Sequence, residues 1–387
     1  MNYSFLQHYW CFVIALLAGL LVFLMFVQGA NSVLFSLGRT ADERRLIVNA
    51  TGRKWEFTFT TLVTFGGAFF ASYPLFYSTS FGGAYWLWMI ILFSFVLQAV
   101  SYEFQHKLGN LLGTKTFQWM LVLNGILGPL LLGGAVATFF TGSNFIVGRE
   151  NIVSAFPLEG SLPVVSRWAN ASHGLDALLN PWNVVFGLAI VELARTLGLL
   201  YLMNRVADEN LRCRASVRLV GTSVVFVTLF LAFLCHVLLN EGYAYDPETG
   251  IVFMQPYKYL HNLVDMWPLA VMLAIGIVFV LYGIVRTVVS RTYTRGIWPA
   301  GFGTVVTVLC LLLLTAWNHT AYYPSTADLQ SSLTMQNSSS SEFTLRTMFY
   351  VSLLIPFVLA YIVHAWRSID DKEITIEEIN SRNEHAY

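Results

Sequence analysis

The sequence predicts an all-α integral membrane protein with about nine transmembrane helices, drawn as two four-helix bundles plus one peripheral helix. Three observations carry that prediction. Of the 387 residues, 56% are hydrophobic and only 11% are charged, where a soluble domain carries roughly 25% charged residues. Apolar runs of about 20 residues recur along the chain, the length a helix needs to cross a hydrocarbon core of about 30 Å. Lysine and arginine crowd into alternate loops, with 17 of the 22 falling on one side. Such residues hold their loops on the cytoplasmic face, so the N-terminus is expected outside and the C-terminus inside.

Taken in order, the expected spans are 6–34, 57–77, 85–102, 117–140, 182–202, 217–239, 267–285, 298–317 and 349–366. The first run is too long for the apolar core of a cleaved signal peptide and lacks a basic leader. Between it and the second lies a short polar loop carrying Arg39, Arg44, Arg45, Arg53 and Lys54, which sets the orientation of everything after it. The other inner segments carry Lys107 and Lys115, then Arg205, Arg212, Arg214 and Arg218, then Arg286, Arg291 and Arg295, then Arg367, Lys372 and Arg382. The outer side keeps Arg149, Arg167, Lys258 and Arg346. Tryptophans and tyrosines gather at the span ends, as an interfacial belt requires: Trp10, Tyr85, Trp86, Trp119, Trp182, Trp267, Trp298, Trp317 and Trp366.

The whole chain, 1–387, reads as one membrane domain. Residues 1–140 form the first bundle, 141–181 an outer loop, 182–367 the remaining five helices, and 368–387 an acidic cytoplasmic tail. The Ser-rich stretch in the last outer loop has the composition of a flexible linker. Pro129, Pro268 and Pro356 are expected to kink helices. Cys11, Cys213, Cys235 and Cys310 form no CxxC pair and read as small hydrophobes, so neither a disulfide frame nor a zinc site is expected. Phosphate-binding glycine loops and nucleophile motifs are absent, and a net charge of zero with no basic cluster outside the short loops gives no sign of a nucleic-acid partner.

Ionisable and amide side chains inside a membrane cost free energy and are functional candidates by default. Five fall in the inner third of the first three spans: Gln28, Asn31, Glu56, Gln98 and Glu103. Gln28 and Asn31 share a helix face, while Glu56 opens the second span and Glu103 closes the third. Together they make a candidate inlet for protons or water; the alternative is that both glutamates simply sit at headgroup depth. Glu192 and Arg195 lie deeper, three residues apart in one span, and are expected to form an intramembrane ion pair that is either structural or a ligand or proton-relay site. No two histidines are placed to face one another in mid-membrane, so no haem is expected within this chain alone and no metal site is assigned.

Several stretches resemble a known family. LGRTADERRLIVNATGRKWE at 37–56, followed by GGAFFASYPLFYSTSF at 66–81, is similar to the first loop and second helix of subunit II of cytochrome bd quinol oxidase. LQAVSYEFQHK at 97–107, LLNPWNVVFGL at 178–188 and SLTMQNSSSSEFTLRTM at 332–348 resemble that family at the corresponding places. The resemblance implies a haem-free subunit in a bacterial inner membrane, with no catalytic residue of its own. Its partner would be a larger subunit I that holds haem b and haem d, oxidises quinol and reduces dioxygen to water with cytoplasmic protons. The family reading leaves for this chain assembly, part of the proton path and room for a bound quinone, lipids or small accessory subunits. Glu56 falls where the family usually has an aspartate, and Glu103 on another commonly acidic position.

Two departures stand out. Where relatives often show DGFDMG, this chain has QGANSV at 28–33, so the amides Gln28 and Asn31 replace carboxylates and cannot themselves take up a proton at ordinary pH. A second tryptophan that relatives carry shortly after the acidic position is replaced here by Phe59, Thr60 and Thr61, which puts an oxygen route through this chain in doubt. The Glu192–Arg195 pair has no counterpart in the resemblance. It keeps alive a rival reading, a secondary transporter with its site at that pair.

Overall fold

The computed structural model describes residues 2–107, 109–148, 165–290, 292–370 and 373–381; Arg149, Arg291, Lys372 and Arg382 of the charge asymmetry lie outside them. Seven of its helices are long and apolar enough to cross a membrane, and up to nine if each of two bent pairs is one span. The first span is α1 (Tyr3–Leu24) with α2 (Phe26–Ser32), interrupted at Met25, and a short α3 (Leu34–Leu37) follows it.

The basic loop is not a loop. Residues 41–52 form helix α4 (Ala41–Gly52), because TADE supplies a Thr-x-x-Glu cap. The Thr40 hydroxyl accepts from the Glu43 amide at 3.1 Å, and the Glu43 carboxylate accepts from the Thr40 and Arg39 amides at 3.0 and 2.7 Å. Burial works to raise the Glu43 carboxyl, but the Arg214 guanidinium and those two amides outweigh it and hold the group below the usual carboxylate range. Leu46, Ile47, Val48 and Ala50 are buried, so α4 is packed onto the helical body rather than suspended in water.

The second span is α5 (Trp55–Ser72), five residues shorter than expected at its far end. Pro74 disfavours a helical Tyr73, and the chain turns through 118° into α6 (Pro74–Phe76) and a π-helical turn at Tyr77–Gly83. The next spans are α7 (Tyr85–Phe104), α8 (Thr114–Thr141), α9 (Pro181–Arg205) and α10 (Glu209–Leu239). After α11 (Lys258–Asp265) come α12 (Trp267–Val289) and α13 (Ile297–Ala316). Past the one-turn α14 (Met335–Ser338), the last span is α15 (Glu342–Ser352) and α16 (Ile355–Ile369), bent by 43° just before Pro356. Pro129 lies inside α8, whereas Pro268 starts α12 rather than kinking it, since a first-turn proline gives up an N–H that has no helical partner.

The connections gather at the two ends of the body. At one end, β1 (Phe145–Val147) pairs with β2 (Ser166–Trp168), and β3 (Glu241–Tyr245) with β4 (Val252–Pro256). The Ser-rich stretch lies at the same end and is ordered rather than a linker. Ser332 and Ser338 are buried, Thr334 caps α14, and the Ser340 amide bonds the Ser72 carbonyl at 2.8 Å. Tyr3 near the N-terminus reaches Ser340 there at 2.8 Å. At the opposite end the acidic tail folds back. Ile374 bridges Val206 through two backbone hydrogen bonds of 2.8 and 3.1 Å, and α17 (Ile376–Ser381) follows.

The body is drawn together by glycines. A Cβ on Gly29 of α2 would stand 1.7 Å from the Ala194 carbonyl oxygen of α9, and one on Gly198 of α9 would stand 2.3 Å from the Ala30 nitrogen of α2. Backbone meets backbone here, as small residues allow between membrane helices. Gly29→Ala and Gly198→Ala should each lower the thermal unfolding midpoint of the detergent-purified protein, with overpacking costing about 1–3 kcal/mol or more. A midpoint equal to that of the parent in tryptophan-fluorescence melts would contradict this contact.

Candidate functional site

Three polar rungs climb one face of α7, at Tyr102, Gln98 and Ser94. Residues four apart stack along a helix face, so these rungs are about 6 Å apart and together reach about 12 Å into the span. Each meets a polar side chain from a neighbouring helix. The Tyr102 hydroxyl accepts from Asn31 Nδ2 at 2.8 Å and donates to Asn31 Oδ1 at 3.0 Å. Gln28 Nε2 donates to Gln98 Oε1 at 3.0 Å, and Asn124 Nδ2 of α8 reaches Ser94 Oγ at 3.4 Å. Gln28, Asn31, Gln98 and Asn124 are each 0% exposed.

The ladder is only half satisfied by protein. Gln28 Oε1, Gln98 Nε2 and Asn124 Oδ1 are buried without a hydrogen-bond partner in the chain. Buried polar groups almost always have a partner, protein or water, so the two upper rungs offer both donor and acceptor positions to water.

The structure therefore sorts the five inlet residues into two sets. Gln28, Asn31 and Gln98 come together inside the body. Glu56 and Glu103 stand outside it at exposed positions, and among the described residues neither side chain makes a hydrogen bond or an ion pair. The two sets meet through the Trp55 and Tyr102 rings, stacked with centroids 5.9 Å apart, because Trp55 precedes Glu56 and Tyr102 precedes Glu103. Glu56 also lies in the first turn of α5, where a negative charge stabilises a helix by about 0.3–1 kcal/mol.

Sequence reading missed Tyr102, Ser94 and Asn124. Tyr102 and Ser94 could have been found from Gln98, since each is four residues from it, the helical spacing that puts side chains on one face.

Glu192 and Arg195 do pair, at 2.5 Å, with side chains 15% and 25% exposed. Arg195 Nε also donates to Ser32 Oγ at the end of α2, at 3.0 Å. The pair thus neutralises itself on α9 and ties that helix to the first span. Among the described residues no three His, Cys, Asp or Glu side chains gather as metal ligands. The histidines nearest the spans are engaged or face outward: His236 stacks on Trp182 at 3.9 Å and touches Asn240, and His364 is exposed on α16.

Replacing Arg195 with Met strands the Glu192 carboxylate, so Arg195→Met should destabilise the protein more than Arg195→Met combined with Glu192→Gln. Breaking one partner of a buried pair costs about 3–5 kcal/mol, and partial exposure here brings the figure lower. Thermal melts of the three variants measure the difference.

A family model described as cytochrome bd terminal oxidase subunit II matches residues 6–369. A protein of Escherichia coli (strain K12) named cytochrome bd-I ubiquinol oxidase subunit 2 is 26% identical over 391 residues, covering 98% of this chain and 97% of that one. The Bacillus subtilis (strain 168) protein named cytochrome bd ubiquinol oxidase subunit 2 is 24% identical over 329 residues, covering 84% and 83%. Among solved structures, a chain of the bd oxidase from Geobacillus thermodenitrificans superposes with a TM-score of 0.59 at 15% identity, covering 93% of this chain and 97% of that one.

Proposed function

The chain belongs to the cytochrome bd terminal oxidase subunit II family, and from that premise we propose that it works in a bd-type quinol oxidase as the haem-free subunit that supports assembly and carries cytoplasmic protons inward. It is a multi-pass protein of the bacterial inner membrane, and a subunit I is its partner. In this proposal the partner holds haem b and haem d, which supply the electron transfer from quinol to dioxygen. The loops at the α4 end face the cytoplasm, in keeping with their lysines and arginines.

The observation that carries the proton role is the half-satisfied ladder on α7. Reduction of dioxygen to two waters consumes four protons and four electrons, and protons cross a low-dielectric region along titratable groups and ordered water. Glu56 and Glu103 stand at the mouth and can take protons from solvent. Tyr102 with Asn31 forms the first rung, and Gln28, Gln98 and Asn124 hold the water above it with their unpaired amide atoms. Amides do not titrate, so they orient water while the carboxylates exchange the proton. The transporter reading has less behind it, because the Glu192 and Arg195 charges are spent on each other and on Ser32.

Glu56→Gln in the assembled oxidase should slow quinol-driven oxygen consumption by about tenfold, equivalent to 1.4 kcal/mol of barrier, while the haem spectrum stays intact. Turnover equal to the parent at full haem content would remove Glu56 from the path.

A further inference from the structure

Lys54 is the second of the two residues between α4 and α5, and its side chain is 0% exposed. Its ammonium lies 3.1 Å from the Asp370 carboxylate and 3.9 Å from the centroid of the Trp366 ring. Arg205, from the end of α9, meets the same carboxylate at 3.5 Å and donates to the Asp370 carbonyl at 2.9 Å. Trp366 is wedged among other spans, with ring centroids 5.2 Å from Phe57, 6.1 Å from Phe26 and 6.5 Å from Trp298. Arg53, next to Lys54, pairs with Glu378 at 3.1 Å, and Arg212 with Glu373 at 2.8 Å.

A buried ammonium is a poor choice for stability alone. Desolvating a lysine is costly, and a methionine of similar length fills the same space without that cost. What the charge adds is direction: it fixes one backbone joint against one carboxylate. The joint carries the entrance of the ladder, since Trp55 follows Lys54 and stacks on Tyr102, and Glu56 comes next.

We infer that Lys54 is a positioning residue for the proton entrance, held in place by Asp370 and Trp366 of the last span and its tail. The inference rests on the proton-path reading of Glu56 and the α7 ladder. Lys54 itself passes no proton. It keeps the first turn of α5 in register with the end of α7, so that Glu56 delivers to Tyr102 and the water above it. The acidic tail is, on this view, part of the entrance and not a solvent-borne appendage.

The test uses the assembled oxidase with three single variants, Lys54→Met, Trp366→Leu and Glu56→Gln, each measured for oxygen consumption per haem, KM for quinol and the haem spectrum. Lys54→Met should lower kcat by about tenfold, within the hundredfold that a misplacement of about 1 Å can cost, at unchanged KM and haem content. Trp366→Leu keeps the ion pair and loses only the ring face, and should give a smaller loss of the same kind. Combining Lys54→Met with Glu56→Gln should be no slower than Glu56→Gln alone, since both act on one step. A Lys54→Met enzyme with parental kcat per haem, while Glu56→Gln is slow, overturns the positioning role and leaves the proton path standing. If Glu56→Gln is also at parental rate, the path itself fails. Loss of haem in step with activity in both Lys54→Met and Trp366→Leu, with kcat per haem unchanged, marks the knot as structural only and overturns the inference.

Discussion

The close approach of α2 and α9 is the constraint on which the rest depends. At Gly29 and Gly198 no side chain separates the two helices, and this brings the first span against the fifth at backbone distance. From that contact Ser32 falls beside Arg195, so the Glu192–Arg195 pair is anchored between helices. On another side, α2 is pressed against α8, where a Cβ on Gly125 would stand 2.5 Å from the Gln28 carbonyl oxygen. Gln28 and Asn31 are thereby aimed toward α7. A bulkier residue at either glycine would move the ladder's partners as well as the helices.

Membrane helices must satisfy their polar side chains within the protein or with trapped water, because lipid offers no partners. The structure meets this demand in two distinct ways. Glu192 and Arg195 cancel on one helix, and Lys54 and Arg205 share the Asp370 carboxylate. The α7 ladder instead pairs one side of the Gln28, Gln98 and Asn124 amides and leaves the other open. Closed pairs hold helices in register, whereas open amides can host water. This contrast separates structural polarity from the kind that supports transport of a proton.

The spans were legible because a run of about 20 apolar residues has one physical use, and their order and approximate ends follow from that alone. The chain's polar stretches are less legible. TADE is a visible cap signal, yet the four charges at 42–45 make 41–52 look like solvent-exposed loop. The Ser-rich stretch has a linker's composition, but its hydroxyls find carbonyls and caps among the connections at that end of the body, which composition cannot reveal. Gln28, Asn31 and Gln98 were legible as a site by helical spacing and depth. Lys54 with Asp370 was not, since partners 316 positions apart share no local pattern.

The knot around Lys54 also has a consequence for how the protein is made. Chains enter the membrane from the N-terminus onward, so the first helices are placed well before the last is synthesised. Lys54 must then wait beside the bilayer until Trp366 and Asp370 arrive. A ribosome that stops short of the final helix leaves behind a nearly complete bundle with a bare ammonium at its second span. The ammonium is thus covered only once the last span is in place, and any chain ending before it leaves that charge open.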